Sequence, residues 1–213
     1  MRALIVFAHP SPRSFTSAVR ATVEEKLRDA NAEIRVIDLY ARNFDPRLTA
    51  EEFACYEDPE TNCRNVRPDV DDIRWCDTLM FVYPTWWYGL PAILKGWLDR
   101  VFLPGKAFLM PDEENAQIRP ALHHITRLGV FTTCGASWWV TRWIGAPGRR
   151  TLLRGVRLLC APRCRTSFAA HYLMDSSTPE SRAAHLARVS RAMDRLIGQR
   201  PARAVETPAA LEA

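Results

Sequence analysis

One stretch, residues 83–102, restricts the folds open to this chain more than any other. It begins at the end of an apolar run, residues 78–83, of the kind expected for a β-strand buried on both faces. A loop with three consecutive aromatic residues follows, and a helix is predicted from Pro91, since the fixed φ of proline suits the first helical position. Aromatic rings and free backbone amides therefore meet at the carboxyl end of one strand. We expect a rigid loop there that could bind a flat aromatic cofactor with polar edges.

The rest of the chain alternates apolar strands with amphipathic helices. Further strands are predicted at residues 3–8, 33–38, 125–133 and 164–172, and helices at residues 15–31, 69–76, 91–101, 138–144 and 149–154, with a last helix from Pro179 and a short one capped by Thr49 and Glu52. Such alternation indicates a parallel sheet with right-handed crossovers. We predict one α/β domain over residues 1–198, with a doubly wound five-stranded sheet of flavodoxin-like order 2-1-3-4-5 and helices on both faces. Residues 199–213 are predicted to be a disordered tail.

Composition fits one globular domain without a membrane or secretory segment. Of the 213 residues, 47% are hydrophobic and 25% are charged, which is ordinary for a chain that buries a full core. The sequence contains no apolar stretch of about 18 residues or more. The apolar start at residues 3–8 lacks the length and basic flank of a secretory signal, so we expect a cytoplasmic protein with no integral membrane segment.

Charge and cysteine content limit the partners. The net charge of +5 comes with arginines that are dense between residues 142 and 165, a patch that could attract phosphates, nucleic acid or an anionic membrane. No nucleic-acid motif accompanies it, so we favour a solvated basic face whose use, if any, is at a phosphate-bearing cosubstrate. Cys160 and Cys164 could be half of a metal site, but no second half is visible, and we expect reduced thiols and no metal.

Three loops carry unusual residues, and the predicted sheet order places all three along one rim, after strands one, three and four. In the first loop, His9, Ser14 and Thr16 lie beside the unpaired N–H groups that begin a helix, a combination typical of an anion site. An ordinary helix cap next to a solvated histidine would give the same pattern.

The second and third loops concentrate aromatic residues. The second loop contains Pro84, Thr85, Trp86, Trp87 and Tyr88, and the third contains Thr132, Thr133, Cys134 and Gly135, followed by Trp138 and Trp139. Consecutive aromatic side chains in the second loop cannot all point one way, so we expect at least one to face the core and one the rim. A position in the core or at a dimer interface is the alternative to ligand contact. Five of the seven tryptophans lie in or just after these two loops, which favours an aromatic slot.

The side chains themselves offer little chemistry. The G-x-G-x-x-G and G-x-x-x-x-G-K-[ST] motifs are absent, as are a Ser-His-Asp order, paired carboxylates and H-E-x-x-H. A bound cofactor would supply the chemistry that these side chains lack. A flavin fits, with its phosphate at the first loop and the edge of its ring system at the amides of the second and third.

Three segments resemble a known family: residues 4–16 around His9 and Ser14-Phe-Thr, residues 83–102 with Gly-Leu-Pro-Ala-Ile-Leu-Lys-Gly-Trp, and Thr132-Thr-Cys-Gly135. They are similar to the NAD(P)H:quinone oxidoreductases of the DT-diaphorase type. The resemblance implies a flavodoxin-like fold, a homodimer whose site the partner chain completes, and hydride transfer from NAD(P)H through bound FAD, or FMN, to a quinone or similar small acceptor.

The resemblance also implies residue roles. His9, Phe15 and Thr16 would hold the phosphate-bearing arm of the flavin, Thr85, Trp86, Trp87 and Tyr88 would line its rings, and Thr132, Thr133 and Gly135 would contact its polar edge. Residues 105–108 resemble the segment that covers the site. Tyr88, Phe108 and Trp139 are the candidates for walls of the substrate slot.

Two departures from the family leave the catalytic residue unassigned. Cys134 stands where the family often has glycine, and a small packed residue is a simpler interpretation than a redox-active thiol. The Tyr and His that follow in the animal enzymes are replaced by Trp138 and Trp139, and the next histidine, His171, is expected to be structural. The choice between FAD and FMN stays open, as do NADH against NADPH and the acceptor. A flavodoxin-like electron carrier and a regulatory flavoprotein subunit of a membrane transporter are the alternatives.

Overall fold

The structure, a computed structural model, describes residues 1–198. Its elements in chain order are β1 (Arg2–Phe7), α1 (Phe15–Asp29), β2 (Glu33–Asp38), α2 (Ala50–Ala54), α3 (Arg67–Trp75), β3 (Thr78–Thr85), α4 (Ala92–Val101), β4 (Phe108–Leu109), β5 (Arg119–Pro120), β6 (Arg127–Cys134), α5 (Trp138–Trp143), α6 (Pro147–Arg150), α7 (Arg157–Leu159), β7 (Arg165–His171) and α8 (Pro179–Ile197). A π-helical turn, Thr151–Val156, joins α6 to α7. The predicted tail at residues 199–213 lies outside the described residues.

Five strands form one parallel sheet in the order β2-β1-β3-β6-β7. This is the predicted order 2-1-3-4-5, because β6 and β7 are the fourth and fifth strands of the sheet. The fold prediction is therefore confirmed. The antiparallel pair β4 and β5 was not predicted, since two strands of two residues each are too short to show a pattern.

Two apolar layers cover the sheet, one on each face. On one face, Val19, Val23 and Leu27 of α1 pack with Val189 and Met193 of α8. On the other face, the layer comprises residues of α3, α4 and the helical run 147–159, among them Val70, Ile73, Leu94, Trp97, Leu152 and Val156. With both faces covered, the central strands read as continuous apolar runs, and that is why the sequence revealed them.

Two predicted boundaries are wrong. Pro91 is the N-cap of α4 and not its first helical residue, because its ψ of 145° is extended and the helix begins at Ala92. Residues 145–148 do not form one continuous break between helices. Only Gly145 and Ala146 make the turn, both with left-handed φ, whereas Pro147 and Gly148 already belong to α6.

The Gly-Trp pair at the end of the 89–97 motif has a packing role. Trp97 is fully buried, and its Nε1 donates to Asp69 Oδ1 at 2.6 Å, which joins α4 to α3. At Gly96, a Cβ atom would lie 2.1 Å from the carbonyl oxygen of Pro46. Only glycine lets the connection between β2 and α3 cross α4 this closely.

The irregular connection between β2 and α3 is anchored to α4 and to the segment after it. Arg100 of α4 forms a buried ion pair with Glu52, and Glu52 also completes the predicted capping box with Thr49 at the start of α2. Asn62 donates to the carbonyl oxygen of Pro104 at 3.0 Å. These charged and polar contacts fix the long connection to α4 and to the segment that follows α4.

Among residues 1–198, no helix is both long and apolar enough to cross a membrane. Over the same part of the chain, no group of three or more His, Cys, Asp or Glu side chains is arranged to hold a metal ion. All six cysteines are free.

Candidate cofactor site

The carboxyl ends of β1, β3 and β6 lie side by side and open into a cleft of about 680 Å³. The residues that line it are His9, Pro84, Thr85, Trp86, Trp87, Tyr88, Thr133, Cys134, Gly135, Ala136, Met174 and Asp175. The first nine of these belong to the set predicted from the sequence to bind the cofactor. The volume is in the usual range for small-molecule sites, roughly 300–1,000 Å³.

His9, just after β1, presents a neutral imidazole to the cleft. Burial lowers the pKa of His9 below its usual value, against a smaller opposite effect of its hydrogen bond with Ser11. Nδ1 lies 3.0 Å from the Ser11 nitrogen and 3.1 Å from the Ser11 carbonyl oxygen, so Ser11 can satisfy it in either tautomer. His9 can therefore make one hydrogen bond to a ligand through Nε2 without carrying a charge.

The start of α1 places two predicted residues outside the cleft. Ser14 is the N-cap of α1, and its Oγ accepts from the Ser17 N–H at 3.1 Å. Phe15 turns toward the core, where its ring meets His171 edge-on at 5.3 Å between centroids. What α1 can offer an anion is the pair of N–H groups in its first turn that have no intrahelical partner.

Threonine hydroxyls tie the start of α1 and the ends of β3 and β6 together at the base of the cleft. Thr16 Oγ1 lies 3.1 Å from Thr133 Oγ1, which links α1 to β6. Thr85 Oγ1 lies 2.8 Å from Thr132 Oγ1, which links β3 to β6. Thr85 and Thr133 line the cleft, whereas Thr16 and Thr132 do not and support them from behind.

The aromatic loop is a tight turn with an uncommon backbone. The Gly89 N–H donates to the Trp86 carbonyl at 3.0 Å, and the two central residues, Trp87 and Tyr88, have φ of 48° and 61°. Two successive left-handed residues define a type I′ turn, which normally selects Asn, Asp or Gly. Bulky residues in that conformation cost of order 1–3 kcal/mol each, and such outliers cluster at ligand sites.

The prediction that one of the three aromatic side chains would face the core is wrong. Trp86 is 43% exposed and Trp87 is 94% exposed, while Tyr88 is half-buried. The expectation relied on the alternation of an extended strand, and the strand ends at Thr85, before the aromatic residues. Two indole rings therefore lie at the mouth of the cleft, and that of Trp87 has little protein packed around it.

A fourth loop, after β7, was missed. It contributes Met174 and Asp175, and Leu173 enters it with a left-handed φ of 56°. A Cβ atom on Gly135 would lie 2.7 Å from Asp175 Oδ2, so glycine allows the two loops to meet. The signal was present, since β7 follows β6 in the predicted order and its carboxyl end must join the same rim.

Two predicted substrate-binding residues lie elsewhere. Phe108 is half-buried in β4, packed against the core and paired with Pro120. Trp139 is 74% exposed on α5, with its ring centroid 4.6 Å from that of Trp138. Neither lines the cleft, so their contact with a substrate stays a prediction, whereas Tyr88 does line it.

His171 and Cys134 have structural surroundings. His171 ends β7 and packs edge-on against His185, and burial lowers the pKa of both imidazoles, that of His185 to about 4. The Sγ of Cys134 lies 3.6 Å from Thr141 Oγ1, and the residue is 4% exposed. Both side chains are packed, and only Cys134 reaches the cleft.

Comparison with known proteins agrees with this geometry. The sequence signature of the flavodoxin-like fold matches residues 1–196. The ribosyldihydronicotinamide dehydrogenase [quinone] of Homo sapiens is 33% identical over 126 residues, which cover 52% of this chain and 54% of that protein. The NAD(P)H dehydrogenase [quinone] 1 of Cavia porcellus is 34% identical over 147 residues, which cover 60% of this chain and 54% of that protein.

A solved structure extends the comparison to nearly the whole chain. The NAD(P)H:quinone oxidoreductase of Methanothermobacter marburgensis has a TM-score of 0.78 and 29% identity, covering 92% of this chain and 98% of the other. By contrast, the chain matches only about half the length of the curated relatives.

Proposed function

Because the chain belongs to the flavodoxin-like fold family, we propose that it is a flavin-dependent NAD(P)H oxidoreductase that passes electrons to a quinone or a similar small acceptor. One observation carries the proposal. The cleft at the carboxyl edge of the sheet is bordered by two exposed indole rings on a strained turn, a cost that a stacked aromatic ligand would offset. The names of the quinone-reducing relatives support the choice of acceptor.

The residues present fit a flavin. Trp86, Trp87 and Tyr88 provide an apolar wall for a planar ring, and Thr85, Thr133 and Gly135 provide hydroxyl and backbone groups beside it. His9 and the first-turn N–H groups of α1, residues 15 and 16, would hold a phosphate. We propose FAD, with FMN as the alternative.

A flavin held by these residues would supply the hydride-transfer chemistry that the side chains lack. The chain's own part is binding and orientation. The threonine bonds fix the strand ends, so the groups of β3 and β6 that face the cleft are positioned before a ligand arrives. His9 offers an uncharged imidazole, so it adds no fixed charge beside the cofactor.

We also propose a homodimer, as the resemblance implies. Exposed apolar side chains support it: Phe53 is 70% exposed, Trp143 87% and Leu158 71%. Association would cover surface of this kind. Light scattering on the purified chain tests the proposal, and a monomeric mass at micromolar concentration would contradict it.

The proposed activity is tested by flavin content and by steady-state oxidation of NAD(P)H with a benzoquinone or naphthoquinone acceptor. We expect co-purified or reconstituted flavin and quinone-dependent turnover. If flavin-loaded protein reduces no quinone, the proposed enzymatic activity is refuted and an electron carrier is favoured.

A pair of variants tests the site. Trp87→Ala should lose flavin during gel filtration, because the exposed ring at the cleft is removed. Val36→Ala is the control, since Val36 is an exposed apolar residue on β2 that does not line the cleft. Equal flavin retention in the two variants would refute the assignment of Trp87.

A further inference from the structure

A second cavity, of about 530 Å³, lies beside α5 and α6 and is bordered by four arginines. They are Arg142, Arg149, Arg150 and Arg154, and the remaining lining includes Trp138, Phe168 and Tyr172. These arginines belong to the dense stretch noted in the sequence. The cofactor cleft uses none of them.

The positive charge of this cavity is not neutralised by neighbouring carboxylates. Within residues 1–198, no Asp or Glu oxygen lies within 4.0 Å of any of the four guanidinium groups. Two of them instead lie over aromatic rings: Arg149 Cζ is 5.1 Å from the ring centroid of Phe168, and Arg142 Cζ is 5.8 Å from that of Trp138. Stacking of this kind restricts a guanidinium while its N–H groups stay available.

The turn between α5 and α6 brings the arginines together. Gly145 has φ of 96° and Ala146 has φ of 48°, so the chain reverses sharply and Arg142 on α5 lines the same cavity as Arg149 and Arg150 on α6. The Arg150 guanidinium lies against Gly145, since a Cβ atom there would be 3.3 Å from Arg150 Nη1. The cluster is thus formed by the fold and not only by proximity in sequence.

The arginine cavity lies next to the cofactor cleft, and residues of both line a crevice of only about 20 Å³. This crevice shares Thr85, Tyr88 and Cys134 with the cleft. It shares five residues with the arginine cavity: Thr141, Ala146, Arg149, Phe168 and Tyr172. A crevice this small admits no part of a nucleotide, so a ligand that reaches both cavities would cross the surface between them.

We propose that the arginine cavity binds the 2′-phosphate of NADPH and so selects NADPH over NADH. This deepens the proposed function and rests on it for the identity of the cosubstrate. A phosphate monoester carries close to two negative charges at neutral pH and three acceptor oxygens, and guanidinium groups match that geometry with paired N–H donors. NADH lacks the group, so it would leave the cavity without a charged ligand.

The test uses binding, which does not require turnover. Isothermal titration of the full chain with adenosine 2′,5′-bisphosphate is compared with adenosine 5′-monophosphate, which lacks the 2′-phosphate. We expect the bisphosphate to bind about tenfold more tightly or better, the effect of one or two charge-assisted hydrogen bonds. Equal affinities would overturn the proposal.

Variants locate the site. Arg149→Ala combined with Arg150→Ala should lose most of the preference for the bisphosphate. Arg191→Ala on α8 is the matched control, because Arg191 is exposed and borders neither cavity, and its effect should stay within about twofold. An equal loss in both variants would refute the location, as would a preference that survives the double substitution. Thermal unfolding of each variant shows whether the fold is kept.

Kinetics then separates this proposal from the proposed function. With quinone turnover present, the double variant should lose kcat/KM for NADPH by about tenfold and leave that for NADH nearly unchanged. If the chain binds the bisphosphate selectively but reduces no quinone, the phosphate site stands and the proposed acceptor fails. If duplex DNA of arbitrary sequence displaces the bisphosphate at lower concentration, the cavity is a nucleic-acid surface and the phosphate proposal is overturned.

Discussion

Replacement of Trp87 by glycine and by alanine tests whether the aromatic turn is strained. The side chain is 94% exposed, so either substitution removes little packing from the folded state. Its φ of 48°, however, is left-handed, and that conformation costs an L-residue with a Cβ about 1–2 kcal/mol. Alanine keeps this cost and glycine removes it.

The expected difference follows from two terms of opposite sign. Glycine gains about 1–2 kcal/mol by relief of the backbone and loses about 0.5–1 kcal/mol because its unfolded chain has more conformational freedom. The free energy of unfolding of Trp87→Gly should therefore exceed that of Trp87→Ala by up to about 1.5 kcal/mol. Both variants should retain less flavin than the parent, so the stabilised variant would also be the poorer binder.

Gly155 provides the control, because a Cβ atom there would have no neighbour within 4 Å and its backbone is helical. At that position alanine should be the more stable residue by about 0.5–1 kcal/mol, the ordinary helical preference. Glycine should thus be the more stable residue at position 87, and alanine the more stable residue at position 155. Urea unfolding of flavin-free protein, followed by circular dichroism, measures both. A Trp87→Ala variant more stable than Trp87→Gly would refute the strain.

Three further predictions concern other parts of the chain. Gly96→Ala should lower the free energy of unfolding by about 1–3 kcal/mol despite its helical position, since the added Cβ overlaps the crossing connection, and a stabilised variant would contradict that packing. The pKa of His185 is about 4 in the folded chain against 6.5 unfolded, so protonation favours unfolding and stability should fall by about 3 kcal/mol as the pH drops from 6.5 to 4. In urea titrations at several pH values, His185→Leu should flatten that dependence, and an unchanged slope would show that other groups cause it. If Phe108 forms a wall of the substrate slot, Phe108→Ala should raise KM for the acceptor and spare bound flavin; an unchanged KM would refute that role and agree with its position outside the cleft.

The sequence was most informative where burial and topology decide the outcome. The strand at residues 78–83 was recognised because both faces of a parallel sheet are covered, and the order of strands followed from the βα alternation. The same topology brought His9, Thr85 and Thr133 to one rim, so most of the cleft could be predicted without any contact being known.

The missed features depend on backbone conformations that residue types do not announce. Trp87 and Tyr88 are poor candidates for left-handed φ, so nothing in the sequence indicated a type I′ turn there. Pro91 is compatible with both N-cap and first-turn positions, and only its ψ separates them. The strand order placed the loop after β7 at the rim, but Asp175 reaches the cleft through a left-handed φ at Leu173, which a leucine does not indicate.

The connection between β2 and α3 has a consequence for how substitutions in this chain should be judged. By secondary structure alone it would be classed as variable surface, free to accept changes and insertions. Yet Glu52 faces Arg100 in a buried ion pair, and removal of one partner of such a pair costs about 3–5 kcal/mol. Natural or engineered variation at Glu52 and Pro46 should therefore be as restricted as in a helix of the core, and permissive positions have to be sought among the exposed residues between these anchors.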